Sequence, residues 1–175
     1  GNEVLDQMEN GSSSVEAIRK VLENRSHIEY RQVAAVDLNG ITASFTGKNI
    51  LGNNSVYDGK GCIAAGNLLK SIDLPKIMVK SFENNSNLHL ADRLIAALQS
   101  GVDCGGEEGP THSSALLVAH KYSWPLVDLR VDWNEACPVR SLSKLWEDYK
   151  PQMKPYLLRA IDPSEAPSYG VPGDQ

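Results

Sequence analysis

The sequence has little of what would tie a small scaffold together by covalent or metal links. Its three cysteines, Cys62, Cys104 and Cys137, lie far apart in 175 residues. Neither a CxxC nor a Cys/His pair at ligand spacing occurs, which argues against a disulfide framework and against a structural zinc site. Apolar runs are short, well under the ~20 residues of a membrane-spanning helix. Basic residues are outnumbered, 17 Lys and Arg against 22 Asp and Glu, for a net charge of −5. They form no block, so a nucleic-acid footprint is not expected. No cofactor is expected either.

What is present suits one globular domain. Hydrophobic residues make up 41% and charged residues 22% of the chain, ordinary proportions for a folded protein. Such a length buries roughly 70% of the unfolded surface, enough for a core without staples. Reduced thiols in the cytoplasm are the simplest reading of the cysteines. Asn10, Asn24, Asn53 and Asn84 each open an N-x-Ser sequon and leave a secreted origin open, although the residues show no signal-peptide pattern.

Along the chain, residues 1–10 read as a helix ending at Gly11, and Ser13-Ser14-Val15-Glu16 as a capping box for a second helix to about Asn24. Tyr30–Asp37 and Ile41–Thr46 alternate as strands around Leu38-Asn39-Gly40, a hairpin turn. Gly47–Gly61 reads as a long loop and Cys62–Leu69 as a short strand. A helix introduced by Asp73 and Pro75 carries Leu74, Ile77, Met78 and Phe82 on one side. A second, about Leu88–Ser100, carries Leu90, Ala91, Leu94, Ile95 and Leu98 and stops at Gly101. Two more strands, Ser114–His120 and Leu126–Asp132, precede a helix opened by Pro138 with Val139, Leu142, Leu145, Trp146 and Tyr149 inward. The division is a domain over 1–150 and a proline-rich C-terminal arm over 151–175. Hairpins mixed with paired helices predict an α+β layered fold.

Several stretches together, HIEYRQVAAVD, CIAAGNLL, HLADRLIAALQSG, CGGEEGPTHSSALLV, WPLVDLRVDW, LWEDYKPQM and RAIDPSEAPSYGVPGD, resemble the bacterial domain-of-unknown-function family 1028, assigned to the N-terminal-nucleophile (Ntn) hydrolases. The resemblance runs through essentially the whole chain. It implies an Ntn-hydrolase-like αββα sandwich, two antiparallel sheets between helical layers, and hydrolysis of an amide bond in a small molecule. It also implies an additional leading segment that supplies the opening strands and the nucleophile. In this chemistry the first residue is Thr, Ser or Cys, attacking while its own α-amine takes the proton. Gly1 has no such group, so the catalytic nucleophile is expected outside these residues.

Candidate substrate-binding residues come from three places. On a strand Asp128, Arg130 and Asp132 share one face and Leu129 and Val131 the other, making either a polar wall for a carboxylate or amide oxygen, or a structural ion-pair ladder. In the Gly105–Thr111 connection, Glu107 and Glu108 repel a phosphate and suit a cationic amine. With His112 they form an undiagnostic metal set, and a solvated acidic loop is the plainer alternative. Asn67 either donates to a substrate oxyanion or caps a turn. Cys104 with His112 is the nearest internal nucleophile pair, without an orienting carboxylate at recognisable spacing. His27, His89 and His120 are isolated, and Trp124, Trp133 and Trp146 suit packing. The rival to the enzyme is a non-catalytic binding or assembly module that keeps the scaffold. A sandwich lacking its first strands exposes edges and apolar faces, so self-association or a companion N-terminal segment is expected.

Overall fold

Ser13 accepts a hydrogen bond from the Glu16 amide, and the Glu16 carboxylate takes the Ser13 amide in return. The expected capping box is therefore formed. It starts helix α2 (Ser14–Leu22), which lies against α1 (Asn2–Glu9). A computed structural model describes residues 1–23 and 25–170; the Asn24 sequon and residues 171–175 of the C-terminal arm lie outside the described residues. Among these residues the chain forms five α-helices and six strands, paired as three two-stranded antiparallel hairpins. It divides into two compact units, Gly1–Pro110 and Thr111–Gln175. The mixed α+β class stands.

In the first unit, β1 (Gln32–Val36) pairs with β2 (Thr42–Thr46) in the register Ala34↔Ser44. The turn is closed by the Asp37 amide to the Ile41 carbonyl, 3.0 Å, with Gly40 at φ 76, the left-handed position such a hairpin requires. Asp37 does more than turn the chain. One of its carboxylate oxygens takes the amides of Asn39 and Ile41, and the other takes the amide of Ser14, 3.2 Å. The fully buried Ser14 hydroxyl donates to the Ile41 carbonyl, 2.9 Å. The start of α2 is thus bolted to the tip of the hairpin. These bonds, the Ser14 amide first, hold the Asp37 carboxyl below the usual carboxylate range. Val4, Ala17 and Ile18 form the buried cluster beneath, with Val33, Ala35, Ala43 and Phe45 packed on it.

The long loop expected over Gly47–Gly61 contains a strand. β3 (Ser55–Gly59) pairs with β4 (Cys62–Gly66) around Lys60-Gly61. Asn, Ser, Asp and Gly crowd this stretch and read as turn formers; pairing with β4 overrides them. The Gln32 amide nitrogen lies 3.3 Å from the Gly66 carbonyl and 3.5 Å from that of Ser55, tying the first hairpin to the end of the second. At Gly47 the chain crosses the backbone of Glu29 so closely that a Cβ would sit 2.3 Å from its carbonyl.

Helices α3 (Leu74–Asn84) and α4 (Leu90–Asp103) pack together. α3 buries Leu74, Pro75, Val79 and Phe82, while Ile77 and the α4 residue Leu90, both expected inward, are exposed. Gly101 does not stop α4. It is buried inside the helix, where a Cβ would lie 3.1 Å from the Met78 sulfur and 3.3 Å from a Leu74 methyl. The stop comes four residues later. The Gly105 amide bonds to the Val102 carbonyl and the Gly106 amide to that of Gly101, 2.9 and 3.0 Å, with φ 114 at Gly105. This is a Schellman ending with glycine in its left-handed slot.

In the second unit β5 (Ser114–Val118) pairs with β6 (Val127–Val131), and α5 (Pro138–Ile161) covers one face of the hairpin. Leu116, Val118 and Val127 of the hairpin and Val139, Leu142 and Trp146 of the helix are buried, while Leu145 is exposed. Where an extended arm was expected from Pro151, α5 continues through Pro151 and Pro155. Both prolines are accepted in the helix interior, and the chain turns extended only after Ile161.

Two consequences are measurable. Gly47→Ala should cost about 2–3 kcal/mol in chemical denaturation, since backbone rather than a movable side chain opposes the new methyl. Because the folded Asp37 carboxyl titrates below its unfolded value, its contribution is present above about pH 4 and lost as pH falls through the folded value. Asp37→Asn should therefore lower stability at neutral pH and flatten the acid limb of the stability curve, read by thermal melts from pH 2 to 7.

Candidate functional site

The Schellman turn delivers the chain to an exposed ledge in the first unit. Three backbone stretches run side by side. The amides of Leu68 and Leu69 bond to the carbonyls of Leu51 and Asn53, 3.1 and 2.9 Å. On the other side the Lys70 amide bonds to the Gly106 carbonyl, 3.1 Å, and the Glu108 amide to the Leu68 carbonyl, 2.6 Å. Leu69 and Glu107 form an isolated antiparallel bridge. The Asn53 side chain adds a bond to the Leu69 carbonyl, 3.1 Å. Leu69 itself is buried and folds back on Gly66, where a Cβ would come within 2.7 Å of its methyl.

Asn67, Glu107 and Glu108 sit on this ledge. Asn67 lies one residue beyond β4, in a bend and partly exposed, rather than within a strand. Its neighbour Leu68 takes the left-handed conformation, φ 53, a strain that three flanking backbone bonds sustain. The Glu107 and Glu108 side chains are exposed. Neither carboxylate, nor the Asn67 carboxamide, has a hydrogen-bond or ion-pair partner among the described residues. The ledge is braced by backbone hydrogen bonds and its polar side chains are open to water, so it can take a cationic or amide group. No phosphate suits it, because both acidic groups point negative charge outward.

The remaining candidates belong to the second unit. Asp128 and Arg130 stand on the exposed face of β6 beside Ala115 and Leu117 of β5, with Leu129 and Val131 turned the other way. The alternation expected from the sequence is present. Arg130 reaches one oxygen of Asp132 through both Nε, 3.2 Å, and Nη2, 2.6 Å. Asp132, and Asp128 more weakly, raise the guanidinium further above its ordinary value. With 67% and 78% of these side chains exposed, the pair is screened by water and adds little to stability. It leaves the Arg130 fork only half used.

His112 is oriented by groups that no spacing rule marks. Its ring stacks on Trp133 at 4.0 Å and 6°. Nδ1 lies 3.3 Å from the Asn134 carbonyl and 3.8 Å from the Glu135 carboxylate. The Trp133 indole donates to the same carboxylate, 2.6 Å. Glu135 was missed from the sequence and Trp133 was read only as packing; a WxE directly after a predicted strand was the available signal. The Cys104 of the suggested pair caps α4 in the other unit. Burial pushes the Cys62 thiol up, with Glu83 adding to it, so that thiol is held protonated. Among the described residues no group of three His, Cys, Asp or Glu side chains is placed to hold a metal ion, and no helix is long and apolar enough to cross a membrane.

A chain of antiparallel hairpins flanked by helices, with an acidic ledge and a separate charged strand face, defines an α+β protein with exposed polar patches. Its family can be named. The family of unknown function DUF1028 matches residues 1–142, and the chain belongs to that family. It is also similar to the crystal structure of protein SPO2555 from Silicibacter pomeroyi, a DUF1028 structure. The TM-score is 0.77 and the identity 33%, over 86% of this chain and 64% of that one. The chain thus spans less than two thirds of that protein's length. No curated protein matches it.

Arg130→Ala tests the strand face. The exposed pair predicts a melting midpoint nearly unchanged by the substitution; a large loss of thermal stability would show instead a structural ladder.

Proposed function

We propose that this chain forms the substrate-facing scaffold of an amide-bond hydrolase of the Ntn type, an αββα sandwich when complete, and that the ledge of Asn67, Glu107 and Glu108 receives a substrate bearing a cationic amine. Membership of DUF1028 supports the reading, as do antiparallel hairpins flanked by helices. The observation that carries it is the pair of unpartnered carboxylates beside an unpartnered carboxamide on a backbone locked from both sides. In such a site Glu107 and Glu108 hold the amine, and Asn67 donates to the oxygen that becomes negative as the amide is attacked. Asp128, Arg130, Asp132 and His112 form a second polar surface, where the Arg130 N–H groups that Asp132 does not take can meet a carboxylate. No residue of this chain is assigned the attacking role. In this class that group is a Thr, Ser or Cys beginning a chain, with its own amine as base.

One observation favours the non-catalytic module. Ala115 and Leu117 are exposed on the outer face of the β5–β6 hairpin, with Leu117 64% accessible. An apolar strand face of this kind suits a partner, whether a companion segment or a second copy.

The two readings separate in one experiment. The chain joined to the segment that carries the nucleophile is incubated with a panel of acyl amides of cationic, neutral and anionic amines, and amine release is followed. The hydrolase reading expects turnover favouring the cationic set. The double substitution Glu107→Gln with Glu108→Gln should then raise KM about tenfold or more with kcat kept, the loss of a charge-assisted contact. Asn67→Ala should lower kcat about a hundredfold. Absence of amine release from every member, with no saturable binding by calorimetry, would leave the module in its place.

A further inference from the structure

The bridge in the ledge is bonded on one side and open on the other. Leu69 and Glu107 stand opposite each other as an antiparallel pair. The bonds on either side of them run from the Lys70 amide to the Gly106 carbonyl, 3.1 Å, and from the Glu108 amide to the Leu68 carbonyl, 2.6 Å. That is the pattern of a non-hydrogen-bonded pair, in which each residue turns its own N–H and C=O away from the other. On the Leu69 side these outward groups are taken. The amide donates to the Asn53 carbonyl, 2.9 Å, and the carbonyl accepts from the Asn53 carboxamide, 3.1 Å. On the Glu107 side the equivalent amide and carbonyl have no hydrogen-bond partner among the described residues.

Glu107 therefore presents one donor and one acceptor, side by side, on an exposed edge. Such an edge is a template for another extended chain. Here it is one residue long. The Gly106 amide is already taken by the Gly101 carbonyl and the Glu108 amide by that of Leu68. Gly106 and Gly109 have φ 65 and 87, so the extended stretch ends on both sides of the glutamates. A visiting strand can exchange its two bonds only with Glu107, which fixes its register. In an exchanged antiparallel pair the two side chains share a face, with Cα atoms about 5.5 Å apart. The side chain that meets the visitor is the Glu107 carboxylate, which has no ion-pair partner among the described residues. A cationic side chain complements it, and an acidic one is repelled.

We propose, resting on the hydrolase reading of this same ledge, that its substrate is an extended peptide that pairs antiparallel with Glu107, and that the residue exchanging bonds with Glu107 is a lysine or arginine. A simple acyl amide of a cationic amine satisfies the carboxylate but offers only one amide group. The Glu107 pair takes the N–H and C=O of a single residue, and these belong to two successive amides. A peptide supplies both and brings its side chain to the face where the carboxylate stands. Main-chain bonds then set the register and the carboxylate selects the side chain, as in other cases of strand addition.

Calorimetry on the full chain tests this with a capped pentapeptide, one lysine between two pairs of alanines. Saturable binding is expected. Norleucine in place of the lysine should weaken it about tenfold, the loss of a charge-assisted contact, and Glu107→Gln should erase most of that difference. Methylating the lysine main-chain nitrogen deletes the donor to the Glu107 carbonyl and should weaken binding about tenfold or more. Methylating the next alanine nitrogen, whose N–H points away from the ledge, should change affinity less than about twofold. Equal loss at both nitrogens, or loss at neither, overturns the pairing. A norleucine peptide bound as tightly as the lysine one overturns the choice of side chain. If N-acetylcadaverine binds as tightly as the peptide, the peptide is overturned as the substrate while the ledge stands as a site for cationic amides. Absence of binding by both probes overturns the ledge as a cation site, and the peptide with it.

Discussion

The turn at Gly105–Gly106 has the widest reach of any local constraint in the first unit. A helix end leaves carbonyls without partners, and here two of them are taken by the amides of the glycines that follow. Only a residue without a Cβ adopts φ 114 at that point without steric cost. Once the chain has turned, Gly106 and Glu108 are in register with Leu68 and Lys70, and the ledge forms by ordinary backbone pairing. The acidic pair owes its position to that turn.

Isolated two-stranded hairpins are marginal in water, so each depends on a helix that covers one face. α2 covers β1 and β2 and is held by Ser14 and Asp37. α3 covers β3 and β4, and α5 covers β5 and β6. The uncovered faces and ends are where the candidate chemistry lies. Asp128, Arg130 and Leu117 stand on the face that α5 leaves bare, and Asn67 stands just past the last rung of β4. This is the usual division of labour, in which loops and strand ends carry the polar groups while covered faces carry the packing.

Much of this was legible in the residues. The capping box at Ser13, the hairpin at Leu38-Asn39-Gly40 and the alternation of Asp128-Leu129-Arg130 are local patterns whose physical causes act within a few residues. They were formed as expected. Two of the misreadings share another cause. Gly101 looks like a stop because glycine is a poor helix former, yet it is kept where α4 presses on Met78 and Leu74. Pro151 and Pro155 look like breakers, yet α5 continues through both. Ser55–Gly59 has the composition of a turn and becomes a strand because Cys62–Gly66 lies opposite it. At Gly101 and at Ser55–Gly59 a distant neighbour outweighed the local preference.

The sequence by itself therefore determined the α+β class, the family and most helix and strand positions, since capping, turn chemistry and apolar periodicity are short-range. Only the tertiary structure decided which polar side chains are left without partners. It set the acidic pair on a braced ledge, engaged Arg130 with Asp132 alone, and seated His112 between Trp133 and Asn134. Those outcomes depend on which backbone stretches come side by side, and no spacing along the chain encodes that.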